Sequence, residues 1–107
     1  MPSRIHDRLK EYGVVLPQPA PPVANFLPFV LSSTMLYISG QVATKDGEKL
    51  TGCLGKDVTI EQGQEAAKWC AVNILAQANV ALGGDLTRIV RCVKLGGFVA
   101  STPDFFD

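Results

Sequence analysis

Cysteine and histidine are the first side chains to consider for nucleophilic or metal chemistry. This 107-residue sequence has three cysteines and one histidine. A thiolate can act as a nucleophile or bind a metal, and a structural Zn²⁺ site usually needs four Cys or His ligands at short spacings. Cys53, Cys70 and Cys92 form no C-x-x-C pair and have no base beside them, and His6 is the only histidine. The pattern predicts no metal site and no catalytic thiol, and it favours cysteines that are buried as small apolar residues.

Glycine-rich stretches are the next candidates for a site. Residues 52–56, Gly-Cys-Leu-Gly-Lys, are superficially similar to a phosphate-binding loop, but the spacing and the terminal Ser or Thr of that motif are missing. Gly96-Gly97 lies within an alternating apolar run and indicates a β-bulge, or else close approach by another backbone or a ligand. A plain loop and a bulge, respectively, are the simpler interpretations.

One long helix over residues 58–83 is predicted to organise the rest of the chain. Thr59 can be its N-cap, Gln62 completes a capping box, and Gly83 ends it. The predicted packing face consists mostly of small residues, namely Ile60, Gly63, Ala67, Cys70, Ala71, Ile74, Ala78 and Ala81. Because small side chains let a helix axis approach its neighbour closely, this face is predicted to lie on a β-sheet.

β-rich runs flank this helix on both sides. Residues 29–32 and 35–42 are predicted to form a hairpin around Ser33-Thr34, and Asp46-Gly47 is a second turn signal. The two faces of 35–42 differ little in polarity, which indicates a strand covered on both sides and favours a subunit contact. Alternation over residues 89–100 predicts a further strand.

The ends of the chain are predicted to be helical. Ser3 can cap a short helix that Gly13 ends, and residues 101–104, Ser-Thr-Pro-Asp, are typical of a helix start. Between the first helix and the first strand, residues 14–28 contain five of the seven prolines. This connector is predicted to be an extended strap across the domain.

Composition excludes several classes of function. Ten Lys and Arg balance ten Asp and Glu, so no net field attracts nucleic acid or anionic lipid. No apolar run approaches the roughly 18 residues of a membrane helix, and the charged first residues lack the apolar core of a signal peptide. We expect one domain, residues 1–107, located in the cytosol.

Five short segments, taken in order, resemble one branch of the Rid family of enamine and imine deaminases. They are Pro22-Val23-Ala24-Asn25-Phe26, Leu36-Tyr37-Ile38-Ser39-Gly40-Gln41-Val42, Gly52-Cys53-Leu54-Gly55, Gln64-Glu65-Ala66-Ala67 and Gly97-Phe98-Val99. The resemblance implies an α+β subunit whose chorismate-mutase-like mixed sheet packs against the long helix, with an additional N-terminal helix. It also implies a homotrimer with ligand clefts between subunits, and it covers about the first two thirds of the domain that the family normally has.

The resemblance implies a substrate-binding role for Phe26, Ser39 and Gly40. A hydroxyl and a backbone N–H at the last two positions can bind a carboxylate or a water, whereas Phe26 stands where many relatives have a tyrosine and so lacks the phenol. The family's carboxylate-binding arginine and its water-orienting glutamate fall beyond Asp107, so no residue of this sequence is assigned a catalytic role.

Three functions remain in order of preference. The first is an enamine or imine deaminase that hydrolyses 2-aminoacrylate-type intermediates to a keto acid and ammonia without a bound cofactor. The alternative is a trimeric protein that binds small carboxylates or metabolites without turnover. Ribonuclease activity, attached to some relatives, is disfavoured by the neutral charge and by the lack of aromatic residues interleaved with basic ones.

Overall fold

The computed structural model describes residues 4–19 and 27–106 and, within them, shows a mixed α+β arrangement. The elements in chain order are α1 (Arg4–Glu11), β1 (Phe29–Ser32), β2 (Met35–Ile38), β3 (Thr44–Lys45), β4 (Glu48–Lys49), α2 (Ile60–Ala81) and a 3-10 helix at Leu86–Arg88. β1 pairs with β2 and β3 pairs with β4, both antiparallel. The α+β class is therefore confirmed, while the predicted cap Ser3 and residues 20–26 of the connector lie outside the described residues.

Helix α2 begins and ends where its sequence predicts. Thr59 Oγ1 accepts a hydrogen bond from the Gln62 N–H at 3.1 Å, and Gln62 Oε1 accepts one from the Thr59 N–H at 2.9 Å. This reciprocal pair satisfies two backbone donors that the first turn of a helix leaves without partners. At the other end Gly83 has φ of +65°, a left-handed conformation that glycine adopts without a steric penalty.

The packing face of α2 differs from the predicted one. Ala67 and Ala71 are exposed, whereas Val72, Ala76 and Gln77 are buried. Small side chains indicate where a helix can approach a sheet closely. Which face of α2 points toward the sheet is decided by the side chains of α2 that reach the hairpins. The prediction was therefore wrong for Ala67 and Ala71, and also for Ile60, which is 43% exposed. Helix α2 does pack on β1, β2 and β3 as expected.

Both hairpins form at the predicted turns. In the first, Phe29 pairs with Ile38 and Ser32 with Met35, and Ser33 has φ of +54°. Asp46 and Gly47 have φ of +51° and +82°, so both central residues of the second turn are left-handed, as tight hairpins require. The strand predicted over residues 35–42 is shorter than expected, because pairing ends at Ile38.

A small apolar core lies at the C-terminal end of α2. Ala78, Leu82 and Leu86 form its buried cluster. Six partly buried residues pack against this cluster: Ile5, Leu9, Leu16, Leu36, Ile38 and Ile89. The core thus joins α1, Leu16 of the irregular residues 14–19, β2 and the 3-10 helix, which accounts for the apolar spacing of Ile5 and Leu9 on α1.

Residues 89–100 do not form the predicted strand. The segment has no ladder partner among the described residues, and an isolated bridge joins Leu54 to Ser101 just after it. Five of its apolar side chains are exposed, namely Val90, Val93, Leu95, Phe98 and Val99. Alternation marks a segment suited to pairing, but a strand also needs a neighbour. The predicted helix start at 101–104 is a turn.

The described residues contain neither a membrane-spanning helix nor a cluster of metal-binding side chains. None of their helices is long and apolar enough to cross a membrane. Across residues 4–19 and 27–106, no group of three or more His, Cys, Asp or Glu side chains is arranged to hold a metal ion.

Candidate functional site

Two of the three predicted substrate-binding residues lie together just after β2. Ser39 is half-buried and Gly40 is exposed, at the point where the chain leaves the hairpin. The third, Phe26, lies outside the described residues. The segment 39–42, which we call the post-strand segment, is therefore the part of the predicted site whose geometry can be stated.

The backbone N–H and the hydroxyl proton of Ser39 are both used in hydrogen bonds within the chain. Its backbone N–H and its hydroxyl both donate to the carbonyl oxygen of Pro28, each at 3.0 Å. A carbonyl oxygen has two lone pairs and no proton, so the hydroxyl must be the donor in this bond. Ser39 Oγ is thereby left as an acceptor, able to receive a hydrogen bond from water or from an N–H group.

Gly40 has an open backbone. Its φ lies outside the left-handed region, and a Cβ placed on it would meet no atom of the described residues within 4 Å, so neither its backbone conformation nor packing against those residues requires glycine there. Among the described residues its N–H has no hydrogen-bond partner. The Ser39-Gly40 peptide thus presents a donor beside the acceptor oxygen of Ser39.

Asn73 on α2 fixes the far end of the post-strand segment. Its Nδ2 donates to the carbonyl oxygens of Val42 at 3.0 Å and Thr44 at 3.1 Å. These bonds join residues 29 to 31 positions apart, so they tie the helix to the chain between β2 and β3. Asn73 could not be identified from the sequence, because a single amide on a helix carries no spacing motif.

Replacing Asn73 with alanine should lower the free energy of unfolding by about 1 to 2 kcal/mol, because two hydrogen bonds are lost while water can reach part of the freed backbone. Asn73→Asp keeps the shape but places a carboxylate against two carbonyl oxygens, so it should destabilise at least as much. Urea unfolding followed by circular dichroism measures both. An Asn73→Asp protein as stable as the wild type would contradict the assigned contacts.

A second contact between α2 and the hairpins is centred on Trp69. Its indole N–H donates to Glu65 Oε1 at 3.0 Å, and Lys45 Nζ of β3 lies 5.5 Å from the centroid of the indole ring. Lys45 Nζ also lies 3.9 Å from Glu65 Oε1, and Lys68 Nζ is 5.9 Å from the ring. Cation–π contact and the ion pair hold the second hairpin on α2, which explains the rotation of this helix.

Neither the cysteines nor a cavity beside α1 adds to this site. Cys53 and Cys70 are half-buried, but Cys92 is exposed, so the prediction that all three are buried was wrong for Cys92. A cavity of about 320 Å³ is lined by residues of α1, residues 14–16 and Asn79, with no contribution from the post-strand segment. Within the described part of the chain, Asn79 Oδ1 is buried without a hydrogen-bond partner.

Among the described residues, Asp85 and Arg8 have a shifted pKa, and neither belongs to the post-strand segment. Hydrogen bonds from the hydroxyl and the backbone N–H of Thr87 lower the pKa of the Asp85 carboxyl, which caps the 3-10 helix. A hydrogen bond to Tyr12 raises the pKa of the Arg8 guanidinium on α1. Both groups are exposed and stabilise local turns.

Comparison with known proteins gives relatives that are longer than this chain. No family model matches the sequence. Protein TCP17 of Trypanosoma cruzi is 42% identical over 104 residues, which is 96% of this chain and 64% of the relative. The chain therefore spans less than two thirds of that relative's length.

Two solved structures are similar in fold and in sequence. Protein Atu1372 of Agrobacterium tumefaciens, whose function is unknown, is 48% identical with a TM-score of 0.86, and the match covers 95% of this chain and 62% of that protein. A "putative endoribonuclease" of Shewanella oneidensis MR-1 is 33% identical with a TM-score of 0.68, covering 72% of this chain and 52% of that protein.

Proposed function

We propose that this chain is part of an enamine or imine deaminase of the Rid family, which hydrolyses 2-aminoacrylate-type intermediates to a keto acid and ammonia. The observation that carries the proposal is the open Ser39-Gly40 peptide, whose N–H has no partner among the described residues and lies beside a hydroxyl oxygen that can only accept. These two groups suit a substrate that has a carboxylate at one end and an N–H group at the other.

Hydrolysis of an imine requires few functional groups from the protein. The enamine 2-aminoacrylate tautomerises to 2-iminopropanoate, and water adds to the imine carbon to give a carbinolamine. Proton transfer to nitrogen then releases ammonia and leaves pyruvate, with no oxidant or cofactor consumed. We assign the Gly40 N–H to a carboxylate oxygen of the substrate. Ser39 Oγ would accept a hydrogen bond from the imine N–H or from the attacking water.

The assembly is part of the same proposal. We infer a chorismate-mutase-like subunit within a homotrimer, in which the post-strand segment supplies one wall of a cleft between neighbouring subunits. Support comes from the open face at Gly40 and from the exposed apolar side chains of residues 90–99. Charge-assisted anchoring of the substrate carboxylate would come from the arginine that the resemblance places beyond Asp107.

One observation favours the alternative, a protein that binds small carboxylates without turnover. The Ser39 hydroxyl proton is donated to Pro28 O, so this side chain cannot also protonate the leaving amine. A donor and an acceptor suffice for binding, whereas turnover needs a group that transfers protons. The two functions therefore share the same contacts and differ in whether the bound molecule is hydrolysed.

The deciding experiment measures turnover of freshly generated 2-aminoacrylate, followed as pyruvate and ammonia. Wild-type protein should speed pyruvate release above the spontaneous rate. Gly40→Ala should leave the unfolding midpoint unchanged, since the new methyl group meets no atom of the described residues, yet raise KM because the methyl group crowds the substrate.

Each function gives a different result. Binding of pyruvate without accelerated hydrolysis would establish the alternative and overturn the deaminase. Equal KM for wild type and Gly40→Ala would remove Gly40 from the site. RNA cleavage that weakens steeply with added salt would instead favour the activity for which the Shewanella oneidensis protein is named.

A further inference from the structure

The Ser39-Gly40 peptide is restrained by a side chain that has no assigned role. Gln41 Nε2 donates a hydrogen bond to the carbonyl oxygen of Ser39 at 3.1 Å. Gln41 is half-buried, whereas Gly40 is exposed. The bond therefore reaches back from a half-buried side chain to the peptide group that precedes an exposed glycine.

The geometry of a peptide links this bond to the proposed site. The carbonyl of Ser39 and the N–H of Gly40 belong to one planar unit and point in opposite directions. A donor held on the carbonyl side consequently fixes the direction of the N–H on the other side. It also polarises the peptide, which makes the N–H a stronger donor.

Gly40 needs such a restraint more than any other residue type would. Glycine has the widest choice of backbone angles, and within residues 4–19 and 27–106 no atom lies within 4 Å of the Gly40 Cβ position to limit it. On the N-terminal side, the two bonds from Ser39 to Pro28 O hold Ser39 itself in place. Gln41 supplies the corresponding restraint on the peptide that follows.

We propose that Gln41 is a positioning residue, which aims the Gly40 N–H at the carboxylate of a small 2-keto or 2-imino acid. This inference rests on the proposed function, because it gives a purpose to the carboxylate contact at Gly40. Gln41 itself does not touch the substrate.

The test uses two variants that keep the length of the side chain. Gln41→Met removes the donor, and Gln41→Glu replaces the donor with an acceptor that repels the Ser39 carbonyl. Backbone ¹⁵N relaxation measures the order parameter of the Gly40 N–H, and titration with pyruvate followed at the Gly40 amide measures binding. The Gly83 amide, which donates to Val80 O at 3.2 Å, is the internal control.

In the wild type, the Gly40 order parameter should lie near the value of about 0.85 that is typical of rigid backbone, and in both variants it should fall toward about 0.6. Pyruvate should bind each variant roughly 3- to 10-fold more weakly, the range expected for one lost hydrogen bond. The Gly83 amide should not change, because a general loss of structure is not involved.

The contrary results separate the two proposals. An unchanged Gly40 order parameter in both variants overturns the positioning role. A lower order parameter with unchanged pyruvate affinity also overturns it, since orientation would then not matter for binding. If pyruvate causes no response at the Gly40 amide of the wild type, the carboxylate contact in the proposed function fails, and the inference fails with it.

Discussion

Replacing Leu86 with alanine should lower the free energy of unfolding by about 2 to 5 kcal/mol, the largest loss of stability expected from a single substitution in this chain. Leu86 is 0% exposed and belongs to the small buried cluster with Ala78 and Leu82. Its removal costs both the transfer energy of the side chain and the cavity that its neighbours cannot fill. Chemical denaturation at several protein concentrations measures the loss.

Leu95→Ala is the matched control, because it deletes the same atoms at a position that is 72% exposed. In a lone subunit its effect should stay within about 0.5 kcal/mol, whereas in the proposed homotrimer, where a neighbouring subunit would cover residues 90–99, it should be larger. A cost comparable to that of Leu86→Ala would mean that another strand or subunit covers this segment. If Leu86→Ala leaves the midpoint of unfolding unchanged, the position of the core described for this chain is wrong.

Gly55→Ala should destabilise the contact between residues 53–58 and residues 100–105 by about 2 to 4 kcal/mol. Gly55 has φ of +87°, and a Cβ placed on it would overlap Thr102 Oγ1 and lie 3.3 Å from a ring carbon of Phe105. The backbone strain of alanine at a positive φ and the steric overlap with Thr102 therefore both destabilise the variant. The cost can be relieved by releasing residues 100–105, which separates Leu54 from its backbone partners Ala100 and Thr102.

Amide hydrogen exchange at Thr102 follows this release directly, because its N–H donates to Leu54 O at 2.9 Å. A loss of 2 to 4 kcal/mol corresponds to exchange that is roughly 30- to 1,000-fold faster. Gly96→Ala is the control, since Gly96 has no positive φ and no atom lies within 4 Å of its Cβ position. Exchange at Thr102 that is equally slow in both variants would contradict the described bridge.

Features that depend on a few neighbouring residues could be predicted from the sequence. The capping box of Thr59 and Gln62 and the turn at Asp46-Gly47 are local, since the groups that bond or fix the backbone lie within three residues of each other. The hairpin of β1 and β2 was predicted for the same reason. These signals gave the order and class of the elements.

Features that depend on distant partners could not be predicted in the same way. The rotation of α2 follows from Asn73 and Trp69, whose partners lie in the hairpins. Residues 89–100 have the alternation of a strand, but alternation does not say which strand will pair with it. The packing face of α2 and the strand pairing of residues 89–100 were consequently the features for which prediction and structure differed.

The same distinction between local and distant contacts applies to the candidate site. Ser39 and Gly40 were identified by family resemblance, and the structure then added which protons are free and which are committed. The contribution of Gln41 could not be read from the sequence, because an amide side chain can donate or accept and its partner is set by the bend after β2. Only the folded chain shows that it donates to Ser39 O.

The contact around Trp69 gives this chain a built-in optical probe. Trp69 is the single tryptophan, so intrinsic indole fluorescence reports one location, while far-ultraviolet circular dichroism reports chiefly the 22 residues of α2. Because the ammonium group of Lys45 reaches the ring from β3, detachment of the second hairpin should change the emission even while α2 stays intact. Two signals that change at the same denaturant concentration would indicate all-or-none unfolding, whereas earlier loss of the fluorescence signal would show that the hairpin opens first.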